Sequence, residues 1–69
     1  MKISARNVLK GKVTSVKVGA VNCEVVLEIA GGTEIVAIIT KASVESLKLA
    51  KGKSAYAIIK ASSVMVGVD

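Results

Sequence analysis

The sequence predicts an all-β chain, a small five-stranded barrel with one short helix between the third and fourth strands. Three observations carry this reading. Nineteen of the 69 residues are Val or Ile, and the chain has no Pro, Phe or Trp; β-branched side chains pack well on a pleated surface and lose freedom in a helix. The apolar runs are short and punctuated by glycine, the spacing of strands rather than of long helices. One segment, Val21 to Ala30, alternates apolar and polar residues with the period of two of a sheet that has one buried face.

Lys12 to Val18 (KVTSVKV) reads as the first strand, ended by Gly19. In the second (VNCEVVLEIA), Val21, Cys23, Val25, Leu27 and Ile29 fall on one face, with Asn22, Glu24 and Glu28 on the other. Gly31-Gly32 is a hairpin turn that tolerates positive φ. Glu34 to Thr40 (EIVAIIT) is apolar on both faces through Ile35, Val36, Ile38 and Ile39, so a second surface, from another subunit, is expected to cover it. Thr40-Lys-Ala-Ser43 opens the helix, with Thr40 or Ser43 as its cap and Val44 and Leu47 three apart on one face. Gly52 ends the connection. Ser54 to Ala61 (SAYAIIKA) and Val64 to Val68 (VMVGV) supply the last two strands. Five short strands with the helix in that position fit a barrel of the oligonucleotide/oligosaccharide-binding type. No linker or low-complexity stretch interrupts residues 1–69, which read as a single domain.

Composition excludes several functions. With no His there is no imidazole base, no Ser-His triad and no His-ligated metal. Cys23, the one cysteine, has no partner for an internal disulfide and no histidine to activate it; it falls on the apolar side of its strand as a core residue. Tyr56 is the only aromatic, so the stacking platforms of single-strand binders are missing. No apolar run reaches membrane-spanning length, and MKISARN lacks the apolar core of a signal peptide, so a cytoplasmic protein without a membrane partner is expected. The net charge of +5 points to an anionic partner.

A chain of 7.0 kDa has too much surface for its volume to be comfortably stable alone. Disulfides and structural zinc are ruled out by residue type, which leaves oligomerisation. The surplus Val and Ile is the material for such an interface.

An internal echo bears on function. Ala37-Ile-Ile-Thr-Lys-Ala-Ser43 and Ala57-Ile-Ile-Lys-Ala-Ser62 both run an apolar strand into a small, hydroxylated, lysine-bearing exit. Strand ends commonly collect small polar residues; alternatively, two such exits converge on one anion through hydroxyls, lysine and free backbone N–H groups. Arg6 is the only arginine beside nine lysines. Its planar fork of donors suits an oxyanion better than a lysine point charge does. Lys60, between Ile59 and Ala61 on the predicted strand, is explained by an anionic partner or by a solvent-facing position.

Four motifs in order give the chain a family. ISARN-x-L-x-G-x-V (Ile3 to Val13), EVVLEIAGG (Glu24 to Gly32), AIIT-x-x-SV (Ala37 to Val44) and IIKAS (Ile58 to Ser62) together resemble the molbindin, or Mop, family of small molybdate-binding proteins, built on the TOBE/Mop domain. Each is weak alone; the resemblance covers essentially the whole chain. It implies a barrel of the oligonucleotide-binding type with a strand exchanged between protomers, assembled as a homo-hexamer, a trimer of dimers. It implies a tetrahedral oxyanion, molybdate or tungstate, bound between subunits by Ser4 and Arg6, with Ala5 and Asn7 helping through backbone or turn geometry, by Thr40 and Ser43 of a neighbour, and by Lys60, Ala61 and Ser62. Second-site residues near a threefold axis are placed only weakly, at the turn carrying Lys17, Gly19, Ala20 and Val21. No catalytic residue, catalytic cofactor or side-chain metal ligand is implied. The expected function is non-enzymatic oxyanion binding for storage or homeostasis. The alternatives are a nucleic-acid-binding module, disfavoured by the missing aromatics and dispersed lysines, and a ligand-sensing module serving a regulator or transporter.

Overall fold

The alternation in the second strand becomes the spine of the fold. In the computed structural model, which describes residues Met1–Asp69, four strands form one antiparallel sheet: β1 (Asn7–Val18), β2 (Asn22–Ile29), β3 (Glu34–Thr40) and β4 (Ser54–Ile59). A short helix, α1 (Lys41–Ser46), links β3 to β4. The strand order is β3-β2-β1-β4, so β3 and β4 are the two edges. Cys23, Val25 and Leu27 of β2 are buried together with Val13 of β1 and Val44 of α1, and these five make the core. The expected burial of Cys23 is observed.

β1 is longer than expected and begins at Asn7 rather than Lys12. Its N-terminal half pairs with β4, from Asn7↔Ile59 to Lys12↔Ser54, and its C-terminal half pairs with β2, from Gly11↔Ile29 to Val18↔Cys23. The two ladders meet at Gly11 and Lys12, and a register shift between Val13 and Ser15 follows at once. Such a bulge bends a strand and increases its twist, which curls the sheet. Thr14 Oγ1 donates to the carbonyl of Val26 at 3.3 Å across the irregularity. Gly11 sits inside the ladder, where glycine usually weakens a strand, because a Cβ there would meet the Glu28 carbonyl oxygen at 2.5 Å. The glycine that looks like a break is a close approach.

The Gly31-Gly32 turn has the backbone expected of it, with φ of 85° and 84°. It forms a 3₁₀ turn, Ala30–Gly32, closed by the Ile29 N–H donating to the Thr33 carbonyl at 2.8 Å. Thr40 caps α1: its Oγ1 accepts from the Ser43 N–H at 3.0 Å. Val44 of the helix is buried as expected, whereas Leu47 is exposed. Lys53 Nζ closes the far end by donating to the carbonyls of Leu47 at 2.6 Å and Lys48 at 3.3 Å.

The fifth strand is absent from the chain's own sheet, and this corrects the sequence reading. Val64 to Val68 follow a 3₁₀ turn, Ala61–Ser63, and pair with nothing. Met65, Val66 and Val68 are 92–95% exposed. The pattern of a strand is present, yet the segment takes up no free edge of its own chain. The barrel is accordingly a curled sheet left open between its edges. Its surface is 5401 Å², against about 4,000 Å² for a compact monomer of this mass. Only six residues are buried, and the 32 backbone hydrogen bonds fall short of the roughly 45–50 usual for this length.

Candidate functional site

Pairing of Asn7 with Ile59 brings two turns together at one end of the sheet. Ser4, Ala5 and Arg6 precede β1; Lys60, Ala61 and Ser62 follow β4. Together with Ile58 they line one pocket of ≈ 610 Å³. Six of the nine expected oxyanion residues therefore meet within one chain, although they lie more than fifty positions apart. Its lining includes the cationic residues Arg6 and Lys60 and the hydroxyl-bearing Ser4 and Ser62, and no Asp or Glu. The Ala61–Ser63 turn is closed by the Ser63 N–H donating to the Lys60 carbonyl at 2.9 Å, which leaves the Ala61 and Ser62 N–H groups outside the turn's own bonds. An anion with several acceptor oxygens and no donor suits such a lining.

Lys60 needs a correction. β4 ends at Ile59, and Lys60 is an exposed residue at the entry to the 3₁₀ turn rather than a strand residue. Its charge therefore stays in water, free to face the pocket, and burial does not force a partner on it.

Asn7 is placed differently from its neighbours. It does not line the pocket; its Nδ2 donates to the Ile59 carbonyl at 3.2 Å. The amide ties the base of one turn to the base of the other. Ile58 is the residue that sequence reasoning missed. It lies within the IIKAS motif, but an apolar side chain carries no ligand signal, and only the geometry puts it in the lining.

Thr40 and Ser43 lie elsewhere. Thr40 ends β3, the edge strand opposite β4, and pairs with Asn22 of β2, beside the Val18 end of β1. Arg6 adjoins the other end of β1, a contour of about 36 Å away at the usual rise per residue. The echo between the exits of β3 and β4 thus does not converge within one chain. The two hydroxyls form their own unit, in which Thr40 Oγ1 donates to Ser43 Oγ at 2.8 Å and accepts from the Ser43 N–H. Whichever hydroxyl donates across this pair, one O–H of the two is left to an outside partner. Of the weaker second-site residues, Gly19 closes the turn by donating to the Asn22 carbonyl at 2.9 Å, and the Lys41 N–H donates to the Val21 carbonyl at 2.8 Å. The Lys17 to Val21 turn therefore adjoins the Thr40–Ser43 cap and not the Arg6 pocket.

A second concavity, ≈ 490 Å³, runs between the open edges. Val25, Leu27, Ala37, Ile39, Leu49 and Ile58 are among its mostly apolar lining. On the outer face of β3, Val36 and Ile38 are 59% and 62% exposed, as expected of a strand apolar on both sides.

A curled antiparallel sheet with one short helix and a cationic, hydroxyl-bearing pocket where two turns meet describes a small β-domain suited to a compact anion. The chain belongs to the TOBE domain family, which matches residues 3–66. It is 56% identical over its full length to a probable molybdenum-pterin-binding protein of Haemophilus influenzae, all of which it covers. Among solved structures it is similar to MopII from Clostridium pasteurianum, with a TM-score of 0.93 and 51% identity over 97% of this chain and all of that one. It is also similar to the cytoplasmic molybdate-binding protein ModG in a form with molybdate bound, with a TM-score of 0.96 and 51% identity. That match covers all of this chain and 49% of the ModG chain. No helix is long and apolar enough to cross a membrane, and no cluster of metal-ligating side chains is present.

Proposed function

We propose that the protein binds molybdate, or tungstate, as an intact tetrahedral dianion, without catalysis, as a cytoplasmic store or buffer. The observation that carries this is the pocket at the Asn7–Ile59 pair, with two cations, two hydroxyls and no carboxylate. Molybdate is bound in the ModG structure to which the chain is half identical. Arg6 and Lys60 balance the charge of the dianion, and the hydroxyls of Ser4 and Ser62 with the backbone of Ala5 and Ala61 complete one side. Asn7 acts as the tie that sets the two turns at a fixed spacing.

The other side comes from a second copy. Thr40 and Ser43 do not line the Arg6 pocket of their own chain, and the hydroxyl pair keeps one O–H to offer a neighbour. The surface exceeds that of a compact monomer by roughly 1,400 Å², more than one standard interface removes from each partner. The exposed segment Val64 to Val68 has the pattern of a strand and no partner, and the groove between β3 and β4 has the lining of a core and no occupant. Exchange of that segment between protomers answers both. A trimer of dimers is the assembly that the family resemblance favours, with the Lys17 to Val21 turn as its second class of site.

Titration calorimetry of the purified protein with sodium molybdate tests the reading. Saturable binding at micromolar concentrations is expected; its absence contradicts the proposal.

A further inference from the structure

Every residue lining the anion pocket except one lies beyond the ends of the strands. Ser4, Ala5 and Arg6 come before β1, and Lys60, Ala61 and Ser62 come after β4; Ile58 alone belongs to a strand. It is also the only bulky apolar side chain there, since the other apolar residues are Ala5 and Ala61. Its Cα partner in the ladder is Val8, one step inside the Asn7↔Ile59 pair that joins the two turns. The side chain is half exposed, at 49%, and lines both the anion pocket and the apolar groove.

These facts give Ile58 a role that the donors cannot fill. A β-branched side chain on a strand has little rotamer freedom, so it forms a stiff wall where loop residues would yield. It offers no hydrogen bond to an anion. It lines the same pocket as residues of the arm that carries Arg6 and of the arm that carries Lys60, so its bulk sets part of the space an anion can take between them. A large tetrahedral oxyanion reaches donors on both arms across that gap. A smaller one, such as sulfate, leaves donors of one arm unpaired, and unpaired donors are what make a polar site selective. Contact with the groove means that an occupant there backs the wall from behind.

We propose that Ile58 is a specificity-determining residue: an apolar spacer that sets the anion pocket to molybdate-sized oxyanions and against sulfate. This rests on the reading of the pocket as an oxyanion site. The test uses the full-length protein and its Ile58→Val and Ile58→Ala variants, each titrated with sodium molybdate and with sodium sulfate. The quantity read is the ratio of the two dissociation constants. It is expected to move toward sulfate in steps with the volume removed, by roughly tenfold or more for Ile58→Ala and by less for Ile58→Val. Native mass spectrometry reports whether each variant assembles; should Ile58→Ala fail to, the milder Ile58→Val decides. A ratio unchanged in the variants that assemble overturns the role of Ile58 while leaving the oxyanion site intact. A wild-type protein that binds molybdate no better than sulfate also overturns it, and one that binds neither removes the underlying reading as well.

Discussion

The side-chain amide of Asn7 donates to the main-chain carbonyl of Ile59 at 3.2 Å, across 52 positions of sequence. The bond lies at the junction where β1 begins and β4 ends, with Arg6 on one side and Lys60 on the other. Donors for a single small anion are useful only if their separation is fixed. On the proposed reading, Asn7 acts on binding through geometry, by holding the two turns together.

Replacing that amide separates geometry from charge. Asn7→Ala retains every donor in the pocket but loses the tie between the turns. The unfolding free energy is expected to drop by about 0.5–1.5 kcal/mol for one lost hydrogen bond, read by urea denaturation. Molybdate affinity should fall as well, with the number of sites unchanged in calorimetry.

Arg6→Ala removes a charged donor that lies in solvent-accessible lining and has no part in the core. Folding and native mass should be preserved. Affinity for molybdate is expected to weaken by about 2–3 kcal/mol, the scale of a lost charged hydrogen-bonding partner. Unchanged affinity in calorimetry would take Arg6 out of the site.

Gly11→Val tests the close approach at the crossing of the two ladders. A Cβ placed 2.5 Å from the Glu28 carbonyl oxygen forces β1 and β2 apart at the bend. A destabilisation of at least about 1–3 kcal/mol, the usual cost of overpacking, is expected in chemical denaturation. A variant as stable as the parent would show that the bend has slack.

Val66→Asp puts a charge into the exposed apolar segment after the last 3₁₀ turn. If that segment only hangs in water, the substitution should fall within the ±0.5 kcal/mol typical of surface sites. If it is exchanged between protomers, a buried unpaired charge disrupts the assembly. A lower mass in light scattering is expected.

Much of this architecture could be read before the coordinates, and the gaps have physical causes. The alternation from Asn22 to Ile29 was legible because that strand has one buried face, and Thr40 because a cap stands at a fixed offset from the helix it opens. The N-terminal half of β1 was hidden because Gly11 reads as a break when its neighbours in space are unknown. The strand pattern of SAYAIIKA runs on through Lys60, because nothing in it marks where pairing with β1 stops. The fifth strand has the right sequence but takes up neither of the free edges, β3 and β4, of its own chain. Motifs at the two ends of the chain point to the pocket and to a turn-setting role for Asn7, while Ile58 and the partner of the Asn7 amide need geometry.

The central claim is that one anion is held by residues of two copies, Arg6 of one and Ser43 of another. A carboxylate placed at either position, Arg6→Glu or Ser43→Glu, made in separate proteins, should in each case abolish molybdate binding. Unfolding the two in equal amounts together and refolding the mixture tests the claim most directly. If the site lies between copies, about a quarter of the sites in the random assembly pair an intact Arg6 with an intact Ser43, and calorimetry should recover that fraction. If each site is built within one chain, every site in the mixture carries a defect. Recovery of no binding in well-folded mixed oligomers would contradict the account.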